Sequence, residues 1–165
     1  CGATGSATVT FTATDACGNT SSTTATFTIE DTTNPSMDVE SADMTVECDG
    51  AGNPTELNAW LSSNGGASAS DQCSGVTWSN DFTSLSDLCG ATGAATVTFT
   101  ATDDCGLSTS TTATFTIEDT TAPEFDFVPQ DLVAECSEDI VLLGASALDN
   151  CGGVVITYLR CKCSD

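Results

Sequence analysis

Residues 89–121 read CGATGAATVTFTATDDCGLSTSTTATFTIEDTT, and residues 1–33 read CGATGSATVTFTATDACGNTSSTTATFTIEDTT. Only five of these 33 positions differ, so the chain repeats itself with Cys1 answered by Cys89. Within the stretch the apolar residues alternate. Val97, Phe99 and Ala101 share one face, and Ala113, Phe115 and Ile117 share another. Thr fills the positions between them. A period of two with β-branched polar residues on one side predicts antiparallel strands with one dry and one wet face.

The repeat extends outward from this stretch. Met44-Thr-Val-Glu-Cys48 is answered by Leu132-Val-Ala-Glu-Cys136, again 88 residues on, and Asp71-Gln-Cys73 by Asp149-Asn-Cys151 at 78. One complete repeat is expected at 34–121. Residues 1–33 are expected to be the last two strands of a truncated repeat, and 122–165 the head of another. The chain opens on Cys1 without a Met or a signal peptide, and both ends are expected to be cuts in a longer protein. A domain of eighty-odd residues buries only about 60–65% of its unfolded surface, and disulfides or metal commonly support it.

Met44, Val46 and Cys48 alternate as a strand, as do Val76 and Trp78. Trp78 is expected to fill the centre of the core. One segment departs from the period of two. Asn53-Pro-Thr-Glu-Leu-Asn-Ala-Trp-Leu-Ser-Ser-Asn-Gly65 predicts a short helix. Asn53 is its expected N-cap, with Pro54 first and Glu56 completing a capping box. Leu57, Trp60 and Leu61 share a face, and Asn64-Gly65 is expected to end the helix in a left-handed turn. The helix is read as a lid, with Trp60 as an alternative sugar platform.

Charge excludes several functions. The chain has 24 Asp+Glu, 2 Lys+Arg and no His, for a formal net charge of −22. Arg160 and Lys162 are the only basic residues, so residues 1–159 hold no cationic side chain. Polyanions such as nucleic acid, which are gripped through Lys and Arg, are not expected as partners. No run is long enough to span a bilayer as a helix. A nucleophile with a His or Lys base cannot be assembled. Ten cysteines at wide spacing, without a CxxC pair or a His, point to structural disulfides in an oxidising compartment rather than to zinc.

The run Ala101-Thr-Asp-Asp-Cys-Gly106, followed by a strand and Glu118-Asp-Thr-Thr-Ala-Pro123, resembles the end of a hyalin-repeat domain. Ala13-Thr-Asp-Ala-Cys-Gly-Asn19 followed by Asp31-Thr-Thr-Asn-Pro35 is closer still. The acidic, Thr-rich version resembles domains strung together in large Bacteroidetes surface proteins, exported by the type IX system and linked to adhesion or gliding. The resemblance covers the chain to about Tyr158; the tail with Cys161 and Cys163 matches nothing in the second repeat.

The resemblance implies an all-β fold of tandem immunoglobulin-like antiparallel β-sandwich repeats, of about seven strands each, stapled by disulfides. Under that topology Cys48 and Cys89 fall at the end distal to the incoming linker, and Cys73 and Cys105 at the proximal end. Of three connectivities this selects Cys48–Cys89 and Cys73–Cys105. Cys1 and Cys17 are expected to pair with partners upstream.

The same topology gathers acids at the junctions: Glu30, Asp31, Asp71, Asp103 and Asp104 at one, Glu118, Asp119 and Asp149 at the next. With no cation to relieve the repulsion, Ca²⁺ is the expected ligand, since it takes six to eight oxygens in flexible geometry; plain solvated turns are the alternative. Thr32 and Thr120, each following Asp, resemble O-glycosylation acceptors of the same bacteria. The expected function is non-enzymatic: a structural stalk or filament repeat of an extracellular, cell-surface adhesin. Its partners are neighbouring repeats or other copies in a filament or bundle, without insertion into the membrane. The alternative is a module that itself binds carbohydrate or protein. A hydrolase using paired carboxylates lacks a polar cleft.

Overall fold

A computed structural model describes residues 1–86, 88–131, 133 and 143–157. The second copy of the Met44–Cys48 strand around Cys136, and the basic tail with Cys161 and Cys163, lie outside the described residues. The described residues are mostly β, with one α-helix and two disulfides among them. Its strands in chain order are β1 (Gly5–Thr14), β2 (Thr20–Ile29), β3 (Ser36–Val39), β4 (Met44–Glu47), β5 (Ser68–Ser70), β6 (Val76–Asn80), β7 (Gly93–Asp103), β8 (Ser108–Glu118), β9 (Glu124–Phe127) and β10 (Ser146–Leu148). The helix α1 (Pro54–Ser62) lies between β4 and β5.

The alternating stretch does what its period demands. β7 and β8 form the two central strands of a four-stranded sheet ordered β4-β8-β7-β6. Val97, Phe99 and Ala101 on β7 and Ala113, Phe115 and Ile117 on β8 are all at most 3% exposed. Thr faces the other way, and the Thr96 and Thr114 hydroxyls meet across the pair at 2.9 Å. β6 joins antiparallel, with Val76 opposite Asp103 and Trp78 opposite Ala101. β4 joins in parallel, with Met44 opposite Phe115 and Glu47 opposite Glu118. β3 pairs with β5, and β9 with β10, each in a separate antiparallel two-stranded sheet.

The first copy of the hairpin folds alike and packs differently. β1 and β2 keep the same pairing, Val9 opposite Ala25, with Thr8 and Thr26 hydroxyls at 2.9 Å. Among the described residues no third strand joins them. Val9, Phe11, Phe27 and Ile29, counterparts of the four largest fully buried side chains among the described residues, are 47–68% exposed.

Two expectations need correction. Trp78 does not fill the core centre; it is half-buried on β6, at the sheet edge, with a neighbour strand on one side only. The core tryptophan is Trp60, 5% exposed, donating its indole N–H to the Ala42 carbonyl at 3.0 Å and set edge-on to Phe99 at 5.2 Å. It offers no open ring for a sugar. Asn53 does precede Pro54, and its carbonyl accepts from Leu57 N. Its backbone is left-handed, however, at φ 50°, not the extended form of an ordinary N-cap. Its amide serves the preceding loop: Nδ2 donates to the Glu47 carbonyl (2.9 Å), and Oδ1 accepts from Asp49 N (3.2 Å). The helix end matches the sequence reading, with Asn64 at φ 56° and Gly65 at φ 65°. A Cβ on Gly65 would lie 2.9 Å from the Ser41 Cβ and 3.2 Å from Phe99.

The chain divides into two compact units, one of Cys1–Asp43, Ala59–Thr83 and Thr96–Thr114, the other of Met44–Asn58, Ser84–Ala95 and Phe115–Asp165.

Candidate functional site

Each unit contains one acidic cluster, and the two clusters are built alike. In the first, the carboxylates of Asp31 and Asp71 and the sulfur of Cys73 lie within 4.8 Å of one another; in the second, so do those of Asp119, Asp149 and Cys151. Asp71 Oδ1 accepts from Cys73 N at 2.8 Å, as Asp149 Oδ1 does from Cys151 N at 2.8 Å. Asp31 Oδ1 accepts from Thr33 N at 3.2 Å, as Asp119 Oδ1 does from Thr121 N at 3.2 Å. These are Asx turns, which hold each aspartate by one oxygen and leave the other to point elsewhere.

The Cys-Gly-Ala-Thr loop closes each cluster. Ala3 N donates to the Cys73 carbonyl at 2.7 Å, and Ala91 N to the Cys151 carbonyl at 2.8 Å. Thr4 and Thr92 turn back on the Cys1 and Cys89 carbonyls through both amide and hydroxyl. Glycine is needed at the second position. Gly2 (φ 50°) and Gly90 (φ 61°) are left-handed, and a Cβ on Gly2 would lie 2.6 Å from the Cys73 oxygen.

Asp103 is outside the first group, and its charge acts on Cys73. It is 5% exposed, and its Oδ1 accepts from Cys105 N (2.8 Å) and Leu107 N (2.9 Å). In the first repeat, Asp15 makes the same two bonds and Asn19 Nδ2 satisfies its Oδ2 at 2.9 Å. Leu107 replaces that asparagine in the second repeat, and Asp103 Oδ2 is left buried without a hydrogen-bond partner. Asp31 Oδ2 is in the same condition. Burial pushes the Cys73 thiol above its usual range, and the charges of Asp31, Asp71 and Asp103 push it the same way. A thiol so held stays protonated, and Cys151 is oxidised, so the donors both sites offer are carboxylate oxygens. That set suits a hard cation rather than zinc. Of the other acids expected here, Glu30, Asp104 and Glu118 are exposed and outside both groups.

The disulfides differ from the expected pair. Cys105 is joined to Cys1 and Cys48 to Cys151, with Cα separations of 5.0 and 5.6 Å. Cys73, Cys89 and Cys17 carry free thiols. Cys48 N donates to the Glu118 carbonyl at 2.9 Å, at the end of the sheet where β7 begins after Cys89. The register of β6 on β7 starts with Val76 opposite Asp103, three residues after Cys73 and two before Cys105. The partners, Cys1 and Cys151, both lie outside 34–121, the stretch within which the expected pairs were confined.

Glu47 was missed. Its carboxylate accepts from the Thr120 amide (3.0 Å) and hydroxyl (2.7 Å) and from the Thr121 hydroxyl (2.7 Å). Those bonds hold its pKa below the usual range, the Thr121 and Thr120 hydroxyls contributing most. Thr32 and Thr120 are both exposed, and the Thr120 hydroxyl is engaged by Glu47. No helix among the described residues is long and apolar enough to cross a membrane. No protein-family model matches the chain, and a search of curated proteins finds no relative.

Proposed function

We propose that the chain is a length of structural stalk or filament from an extracellular surface adhesin, built of tandem immunoglobulin-like repeats whose junctions bind Ca²⁺. The observation that carries this reading is the junction itself. The same linker aspartate, Asp-x-Cys turn and Cys-Gly-Ala-Thr loop recur in the same hydrogen-bonded arrangement, once per repeat. A catalytic or ligand-binding site is ordinarily unique in a chain; a part duplicated at each joint serves the joint. The parallel pairing of β4 with β8, beside β7 and β6, favours an immunoglobulin-like sandwich over a simple meander. The disulfides fit export to an oxidising compartment.

Calcium is supported by the two stranded oxygens. A buried carboxylate oxygen without a partner costs about 1–3 kcal/mol or more, and Asp31 and Asp103 each have one. Asp31, Asp71 and Asp103 would supply oxygens, and a divalent ion would reverse their mutual repulsion. The alternative of direct sugar binding through Trp60 loses its platform, because that ring is in the core.

The test is thermal melting in millimolar CaCl₂ and in chelator. At a hundredfold excess over the dissociation constant, one site bound only when folded adds about 2.7 kcal/mol. Melting is expected to rise with calcium, and Asp31→Asn with Asp71→Asn is expected to remove most of that rise. Identical melting in calcium and chelator would leave the acids as solvated turns.

A further inference from the structure

We infer that consecutive repeats are joined by a ladder of two disulfides per junction, with a fixed rule: the Cys48-type cysteine of one repeat bonds the Cys73-type of the next, and the Cys89-type bonds the Cys105-type of the next. Equivalence between copies gives the rule. Cys1 stands where Cys89 stands in its own repeat, and Cys151 where Cys73 stands. The bond Cys1–Cys105 is therefore a Cys89-type to a following Cys105-type. The bond Cys48–Cys151 is a Cys48-type to a following Cys73-type.

The two bonds belong to one junction seen at two places. The Cys-Gly-Ala-Thr loop rests on Cys73 at the first and on Cys151 at the second, through the same amide-to-carbonyl bond, 2.7 and 2.8 Å. Combining the two views gives four cysteines and two bridges at each junction, with none left over. It also explains which thiols are free. Cys73 is the half-bridge for a Cys48-type cysteine of a preceding repeat, and Cys89 for a Cys105-type of a following one; Cys17, a Cys105-type, takes a preceding Cys89-type.

Each bridge forms when two thiols lose two protons and two electrons to an oxidised dithiol carrier, by exchange through a mixed disulfide. The consequence is mechanical. Both bridges bypass the linkers at 31–35 and 119–123, so tension on one repeat reaches the next through sulfur even where the backbone between them is cut. The rule holds whether or not a cation binds.

The experiment uses the intact chain, digested without reduction and mapped by mass spectrometry. The expected cross-linked peptides contain Cys1 with Cys105 and Cys48 with Cys151, while Cys73 and Cys89 are alkylated before any reductant is added. A second arm places a specific protease site after Thr33. After cleavage, the halves should migrate as one species in denaturing gels and separate on reduction. Cys105→Ser should let them separate unreduced, and Cys48→Ser should not. Peptides joining Cys48 to Cys89 or Cys73 to Cys105, or halves that part without reductant, would overturn the rule. A third arm extends residues 1–121 with a second copy of 34–121. There Cys89 should bond Cys105 of the added copy and become inert to alkylation; a Cys89 that still alkylates rejects the ladder.

Discussion

A single carboxylate decides how firmly one linker is held. Glu47 grips Thr120 and Thr121 through three bonds, and its pKa is lowered by them. A carboxylate whose folded pKa lies below its unfolded value stabilises the folded form above the unfolded pKa. That contribution is lost as pH falls through the folded value. The 119–123 linker is therefore expected to become more open to proteolysis as pH drops below the ordinary glutamate range. Glu47→Gln should already be more open at neutral pH and should lose that part of the pH dependence; equal acid sensitivity in both proteins would show that the grip is unimportant. The neighbouring glycines act through shape. Gly2 and Gly90 let the loop backbone approach the Cys73 and Cys151 carbonyls, where any Cβ would collide.

The two hairpins, β1–β2 and β7–β8, carry almost the same residues in opposite environments. Phe99 is fully buried between its strand neighbours and Trp60, whereas Phe11 is 57% exposed. Phe99→Ala is expected to cost about 3–5 kcal/mol, the range for a large aromatic removed from a core. Phe11→Ala should fall within about 0.5 kcal/mol of the parent, as exposed substitutions usually do. Chemical denaturation of the two variants measures both, and equal losses would mean that the first hairpin is covered. This contrast marks how far the sequence could be read. The period of two gave the strands and their inner faces, because alternation follows from strand geometry alone. Asn64-Gly65 gave the helix end, because left-handed backbone selects those residue types. Burial did not follow, since identical sequences lie in different surroundings; nor did Trp78, whose place at a sheet edge depends on strand order. Asp71 and Asp149 were legible because each stands two residues before a Cys in an Asx turn, and Asp31 and Asp119 because each opens an Asp-Thr-Thr stretch in both copies. The disulfides were not, because Cys105 and Cys48 bond cysteines more than a hundred residues away, outside 34–121, and spacing within that stretch cannot choose among partners beyond it.

Charge acts on the whole molecule. With −22 and no basic side chain before Arg160, the carboxylates of residues 1–159 have no cationic side chain within that stretch to offset their mutual repulsion. Such a chain loses stability to self-repulsion in the compact state. Two remedies are open, and they differ in their response to salt. Screening is indifferent to the ion and grows with ionic strength, since the Debye length shrinks from about 30 Å at 0.01 M to about 8 Å at 0.15 M. Binding at Asp31, Asp71 and Asp103 depends on charge, size and coordination number. The bridges contribute independently of both. Each closes a loop of more than a hundred residues, worth about 4.7 kcal/mol on the chain-entropy estimate. Melting is therefore expected to rise smoothly with NaCl, and to rise further in CaCl₂ at matched ionic strength. MgCl₂ should fall closer to NaCl, because Mg²⁺ gives up its water reluctantly. Asp31→Asn with Asp71→Asn should keep the NaCl response and lose the excess due to calcium. If the calcium and sodium curves coincide once ionic strength is matched, screening alone offsets the charge, and the rigidity of the junctions rests on their disulfides.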